Sequence, residues 1–194
     1  HRKSKRKTIQ RIRFTARFLC GIMEYIRKYV LDKKDLEDLI EYSKVTPSFP
    51  SSITKNIEYN INPEYSPIYS NRRTSTQWKI QVSMWTEINT KIESIVNDGT
   101  KVNQLDFLHY GVGGRFKKHK DVNPNLKRFR TWSSSTLINK SNDLTGGELI
   151  LYEGDNKKVI DLQVGETVLF PSFMTHEVSE VIIGERMSLV GWLN

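Results

Sequence analysis

"HYGVGGRFKKHKD", residues His109 to Asp121, decides how the rest of the chain is read. Glycines beside basic residues invite comparison with a phosphate loop. A Walker loop requires Gly, four residues, then Gly-Lys-Ser/Thr opening a helix, and this stretch has no Gly-Lys-Ser/Thr. A dinucleotide fingerprint requires a third glycine where Phe116 stands, with a helix after it. The glycines are therefore expected to shape a tight turn or bulge between two strands. On a strand, residues i and i+2 share a face, so His119 and Asp121 project together while Lys118 and Lys120 project the other way. Such a pair supplies two ligands of a 2-His-1-carboxylate site, which holds non-haem Fe(II) with coordination positions left open. Alone, a His-x-Asp is more often a surface polar pair.

A third ligand has to come from a distant strand. The chain has four histidines. His1 is terminal, and His109, alternating with Tyr110, reads as a packing or surface residue. His176 follows "GETVLFPSFMT" at the start of an apolar strand. Ten residues later stands Arg186, in "GERMSLVGW". An arginine on a neighbouring strand can hold a carboxylate in bidentate fashion. Its competing reading is an ion pair with Glu177 or Glu185.

Outward from these residues, the chain changes character near residue 100. Before it the patterns are mostly helical. Ile12, Ala16, Leu19, Ile22 or Met23, Ile26 and Val30 form one stripe, which predicts a helix. "LDKKDLEDLIEYS" predicts a second, with Asp32 or Asp35 at its start. The segment from Val45 to Thr76, rich in Ser, Pro, Asn and Tyr, is expected to be irregular. "SMWTEINTKIESIVNDG" predicts a third helix, with Trp85, Ile88, Ile92 and Ile95 on one side and Gly99 as its stop. After residue 100 the period becomes two. "KVNQLDFLHY", "TWSSSTLIN", "GELILYE", "KKVIDLQ", "ETVLFP", "HEVSEV" and "RMSLVGWLN" predict a sandwich or barrel of at least seven strands. The expected class is α+β. A helical and irregular support region, 1–100, buttresses a β core, 101–194, and the two make one compact domain.

Composition bounds the rest. The 194 residues suffice for one domain, and 37% hydrophobic with 27% charged residues is ordinary for a globular protein. No apolar run is long enough to cross a bilayer as a helix. The single cysteine, Cys20, precludes an internal disulfide and slightly favours a cytoplasmic setting. Because it opens on His1 rather than methionine, the chain is expected to be a processed or partial one. The net charge of +8 is concentrated in "HRKSKRKTIQRIRFTARF". That stretch is either a solvated tail or a polyanion-binding arm.

The motifs together resemble the Fe(II)/2-oxoglutarate-dependent dioxygenases, most closely the prolyl 4-hydroxylase-like branch. The resemblance runs from about Leu105 to Leu193 and is carried by "YGVGGRFKKHKD", "FRTWSSSTLIN", "GGELILYE" and "VGETVLFPSFMTHEVSEVIIGERMSLVGW". It implies a double-stranded β-helix, or jelly-roll. His119, Asp121 and His176 would be the Fe(II) ligands, and Arg186 would bind the far carboxylate of 2-oxoglutarate. Tyr110, Thr136, Leu137 and Trp192 would line or flank the cosubstrate pocket, and Arg130 would lie near the substrate. The implied reaction consumes O2 and 2-oxoglutarate, hydroxylates the substrate and releases succinate and CO2, with ascorbate as an accessory. Two departures stand out. Leu137 occupies a position where some relatives carry tyrosine, and Arg186 one where the animal collagen hydroxylases use lysine. The first substrate expectation is prolyl residues of a protein or peptide. The alternatives are nucleic acid bound through the basic N-terminus, a small molecule, or a barrel that binds without catalysis. The repair demethylases of the superfamily carry a second arginine soon after the first, and none follows Arg186 here.

Overall fold

The structure is a computed structural model and describes residues 25–50, 73–122 and 130–194. The elements run β1 (Ile26–Tyr29), α1 (Lys33–Val45), β2 (Phe49–Pro50), β3 (Arg73–Thr74), β4 (Thr76–Ile80), a 3-10 turn (Val82–Met84) and α2 (Thr86–Glu93). There follow β5 (Val102–Tyr110), β6 (Arg115–His119), β7 (Trp132–Lys140), β8 (Thr145–Gly146), β9 (Leu149–Glu153) and β10 (Asn156–Ile160). The chain ends with β11 (Glu166–Pro171), β12 (Thr175–Val178), β13 (Val181–Ile183) and β14 (Arg186–Leu193).

A seven-stranded sheet, β1-β11-β7-β14-β5-β4-β2, faces a five-stranded sheet, β10-β9-β12-β6-β3, with β13-β8 as a small ribbon. This is the expected jelly-roll. The strand patterns after residue 100 become β5, β7, β9, β10, β11, β12 to β13, and β14. The helix predicted through Ile26 and Val30 is corrected at its end, and its earlier part lies outside the described residues. Ile26–Tyr29 is a strand on the edge of the large sheet, with Ile26 opposite Leu169. Ladder hydrogen bonds and the ion pair of Arg27 with Glu166 at 2.7 Å override the helical period there. The first hundred residues therefore give strands β1 to β4 to both sheets as well as helices.

Helix α1 starts where its sequence predicts. Asp32 caps it and forms a reciprocal capping box with Asp35, and Lys91 on α2 bridges to both carboxylates. Helix α2 is shorter than its pattern, ending at Glu93, and Gly99 is not its stop. The outer face of the large sheet buries Phe107, Ile138, Leu169, Leu189 and Leu193 against Leu39, Ile88 and Ile92 of the helices. Its inner face meets the small sheet through Leu137, Leu149, Leu151, Val168 and Phe170.

Strand register sorts the two faces. On β14, Ser188, Val190 and Trp192 lie opposite Leu137, Ser135 and Ser133 of β7 and opposite Leu108, Asp106 and Gln104 of β5. These residues point into the barrel. Leu189 and Thr136 face each other on the outer side.

Candidate metal and cosubstrate site

The glycine stretch is a corner between the sheets. Gly114 N donates to Gly111 O at 2.8 Å, and Gly113, with φ +80°, donates to Val181 O at 2.8 Å. The chain leaves β5 in the large sheet and enters β6 in the small one. There His119 lies opposite His176 of β12, and Phe116 opposite Val178. Three steps on β6 span two on β12, so β6 carries a bulge. The extra residue turns Phe116 and His119 to one side, and their rings stack with centroids 3.6 Å apart.

Asp121 is not on that strand, which ends at His119. Its N–H bonds the Ser172 carbonyl at 2.9 Å, after β11, and this carries its carboxylate across to the large sheet. There Oδ2 accepts from Ser133 Oγ at 2.6 Å, and Ser133 in turn meets Ser172 Oγ at 2.9 Å. The two carboxylate oxygens lie 3.6 Å from His119 Nε2 and 3.4 Å from His176 Nε2. One ion reaching nitrogen and oxygen donors at about 2.1 Å spans such gaps. All three ligand atoms lie within 4.8 Å of one another.

The histidines are set in the ligating tautomer. His119 Nδ1 lies 2.9 Å from Lys117 O and His176 Nδ1 lies 3.0 Å from Met174 O. A carbonyl only accepts, so each Nδ1 carries the proton and each Nε2 offers its lone pair inward. Burial, then the neighbouring His176, push the His119 imidazole down to about 4, which keeps it neutral at ordinary pH. Burial opposes ionisation of Asp121, but His176, His119 and Ser133 outweigh it and hold the carboxyl below its usual range. The donor set of two neutral imidazoles and one carboxylate fits a divalent ion.

Arg186 lies deeper in the barrel and is 5% exposed. It donates to Gly147 O and, at 2.7 Å, to Ser188 Oγ, while its Nε is buried with no hydrogen-bond partner among the described residues. It pairs with neither Glu177 nor Glu185. Tyr152 takes Glu177, and His109 takes Glu185 at 2.8 Å. A buried guanidinium with an orphan N–H and, among the described residues, no carboxylate within ion-pair distance fits an anionic ligand. Tyr110 lies directly opposite Arg186 on β5 and is 1% exposed, and Leu137 opposes Ser188 on the same inner face.

Thr136 is not part of this pocket. It points to the outer face and bonds Thr167 Oγ1 at 2.7 Å, because successive residues of a strand alternate. Trp192 reaches the metal end, where its N–H lies near the Asp121 carboxylate without a hydrogen bond of normal geometry. Arg130 stacks on the Trp192 ring at 4.3 Å, donates to Gln104 Oε1 at 3.1 Å and lies 3.4 Å from Asp121 O. Sequence reasoning passed over Ser133, Ser172, Ser188 and Gly147. Of these, only "GGE" carried a signal. Gly147 has φ +72°, and a Cβ there would stand 2.9 Å from Val181 Cγ2 and 3.2 Å from Arg186 Cδ.

A jelly-roll with two histidines and a carboxylate converging on one point, and a buried guanidinium with an unpaired N–H behind them, defines a non-haem iron oxygenase barrel. Comparison with known proteins agrees. Residues 105–194 match the sequence profile of the 2OG-Fe(II) oxygenase superfamily. A PKHD-type hydroxylase from Prochlorococcus marinus strain MIT 9301 is 30% identical over 167 residues, covering 86% of this chain and 70% of the relative. A Pseudomonas putida prolyl-4-hydroxylase structure is similar with TM-score 0.63 at 18% identity, covering 90% of this chain and 94% of that one. A Trichoplax adhaerens prolyl hydroxylase, solved with a hypoxia inducible factor peptide fragment, gives TM-score 0.66 at 16% identity over 100% of this chain and 93% of that one. The chain belongs to the 2OG-Fe(II) oxygenase superfamily, in its prolyl 4-hydroxylase-like part, and is a 2-oxoglutarate-dependent dioxygenase.

Among the described residues no helix is long and apolar enough to cross a membrane. The basic stretch, read from the sequence as a solvated tail or a polyanion-binding arm, lies outside the described residues.

Proposed function

We propose that this chain hydroxylates prolyl residues of a protein or peptide, with 2-oxoglutarate converted to succinate and CO2. The balance is substrate C–H, O2 and 2-oxoglutarate giving substrate C–OH, succinate and CO2. His119, Asp121 and His176 hold Fe(II) through Nε2, a carboxylate oxygen and Nε2. The iron supplies the oxidative chemistry when bound. Arg186 takes the far carboxylate of 2-oxoglutarate, with Gly147 and Ser188 fixing its guanidinium and Tyr110 and Leu137 closing the pocket. Trp192 packs at the metal end and holds Arg130 toward the substrate side. Phe170, Val168 and Leu137 keep the interior dry, which strengthens every charge contact inside it. Ascorbate enters as an accessory reductant.

The observation that carries this reading is the Arg186 guanidinium. It is buried with an orphan Nε, in the same barrel as three convergent ligand atoms. The prolyl substrate draws support from relatives named as prolyl hydroxylases, one of them bound to a peptide fragment. The test is succinate formation under air with Fe(II), 2-oxoglutarate and ascorbate, with and without a proline-rich peptide library. Peptide-stimulated succinate with a mass gain of one oxygen on proline supports the reading. Stimulation by no peptide, with slow succinate release persisting, rejects the prolyl substrate and retains the oxygenase.

A further inference from the structure

The barrel carries more charge beside the metal ligands than the proposed reaction uses. Arg73 on β3 is 8% exposed, and its Nε is buried with no hydrogen-bond partner among the described residues. Its guanidinium carbon lies 4.8 Å from the centre of the Phe116 ring, which itself stacks on His119. Arg73 is thus one ring removed from a metal ligand. Arg130 approaches from the large sheet, stacked on Trp192. Asp106 projects from the inner face of β5, 7% exposed and within electrostatic reach of both guanidiniums. Its neighbours are amides. Gln104 donates to Oδ1 at 3.3 Å, and Gln77 lies close on the adjoining strand.

The charges do not balance. Two guanidiniums face one carboxylate. Among the described residues, neither Arg73 nor Arg130 has a carboxylate within ion-pair distance. Asp121 also feels Arg130, but its carboxylate belongs to the metal-ligand group and is bonded to Ser133. Arg73 is buried and Arg130 half-buried, and a buried cation is rarely left uncompensated. Guanidinium is the donor that matches a carboxylate in shape as well as charge.

We propose that Arg73 and Arg130, with Asp106 near both, form a substrate subsite for a carboxylate carried next to the carbon that is hydroxylated. The inference rests on the reading of the metal site above and narrows its substrate class. The carboxylate is either the α-carboxylate of a free or C-terminal prolyl unit, or an acidic side chain beside proline within a peptide. Asp106 screens the two guanidiniums from each other and repels an incoming carboxylate. It therefore sets how strongly the subsite prefers an anion.

The test measures binding without turnover, in protein loaded with Zn(II) in place of iron and with 2-oxoglutarate. Two pairs of probes are titrated by calorimetry: N-acetyl-L-proline against N-acetyl-L-prolinamide, and a blocked Asp-Pro peptide against its Asn-Pro isostere. The acidic member of one pair should bind about ten-fold more tightly or better, as loss of a charged hydrogen bond implies. The pair that shows it identifies the source of the carboxylate. Arg73→Gln should cut that preference to about two-fold or less, and Arg130→Gln should lower it independently, which guards against a variant that fails to fold. Asp106→Asn should widen it. Equal binding within both pairs, or a preference that survives both arginine substitutions, or a narrowed preference in Asp106→Asn, overturns the proposal. Absence of succinate from iron-loaded protein in air would instead overturn the oxygenase reading, because the Zn(II) measurement does not depend on turnover.

Discussion

Ser133→Ala offers the sharpest probe of how the metal site is held. The hydroxyl donates to Asp121 Oδ2 at 2.6 Å from a residue only 2% exposed, and it is itself braced by Ser172 at 2.9 Å. A hydrogen bond to a charged acceptor contributes about 1.5–3 kcal/mol, and each 1.4 kcal/mol is roughly a factor of ten. Burial lets little water replace the lost donor, so the upper part of the range applies. Metal-ligating carboxylates that lose such a partner weaken binding by about 10–100-fold. Ser133→Ala should therefore raise the dissociation constant for Zn(II) or Fe(II) by about 10–100-fold, read by competition with a chromophoric chelator. Ser172→Ala removes only the brace and should cost severalfold less. The unloaded protein should lose at least about 1–3 kcal/mol, because the exchange leaves the buried Ser172 hydroxyl unpaired and takes a donor from the Asp121 carboxylate. Metal affinity within about two-fold of wild type in Ser133→Ala would refute the idea that this hydroxyl orients the carboxylate.

Four further outcomes are expected. Arg186→Lys should weaken 2-oxoglutarate binding by about 10–100-fold in equilibrium titration, since an ammonium cannot keep the bonds to Gly147 O and Ser188 while serving a carboxylate. Gly147→Ala forces a side chain onto a backbone at φ +72° and against Arg186 Cδ. It should cost about 1–3 kcal/mol in thermal unfolding and reduce 2-oxoglutarate affinity as well. The Arg27 hydrogen bond holds the Glu166 carboxyl below its ordinary range, with burial opposing. Its stabilisation is therefore full above the unfolded pKa and lost as pH falls through the folded one. Glu166→Gln should be destabilising by less than about 1 kcal/mol at neutral pH, given the solvent exposure of Arg27, and the gap from wild type should close on acidification. Thr136→Val leaves the Thr167 hydroxyl unpaired and should cost about 1–3 kcal/mol, while the double change with Thr167→Val recovers most of it. Metal and 2-oxoglutarate binding should be unmoved in both, and a loss of 2-oxoglutarate affinity would return Thr136 to the pocket.

What the sequence revealed and what it hid follow from one physical distinction. Alternation of side chains is local, so β5, β7, β9, β11 and β14 were visible in the chain after residue 100. Pairing across sheets is not local, and the site depends on it. His119 and Asp121 converge as their spacing suggested, but for a different reason. A bulge turns His119, the strand stops, and the Ser172 carbonyl draws Asp121 to the other sheet. Arg73 was hidden in a Ser-, Pro- and Asn-rich stretch whose composition spoke of irregular chain, yet two residues of it pair with β6. Consecutive serines make the limit plain. Ser133 grips Asp121 inside the barrel, Ser134 bonds Gly191 O at 3.3 Å on the opposite face, and Ser135 points inward again opposite Val190. Three identical residues in a row thus have three different surroundings. Only register against β14 assigns them, and register is set by the whole sheet. A motif that names residue types at fixed spacing can find the iron ligands, because chemistry restricts which residues can ligate. It cannot find the hydroxyl that aims the ligand, because any small polar residue at the right register could do that work.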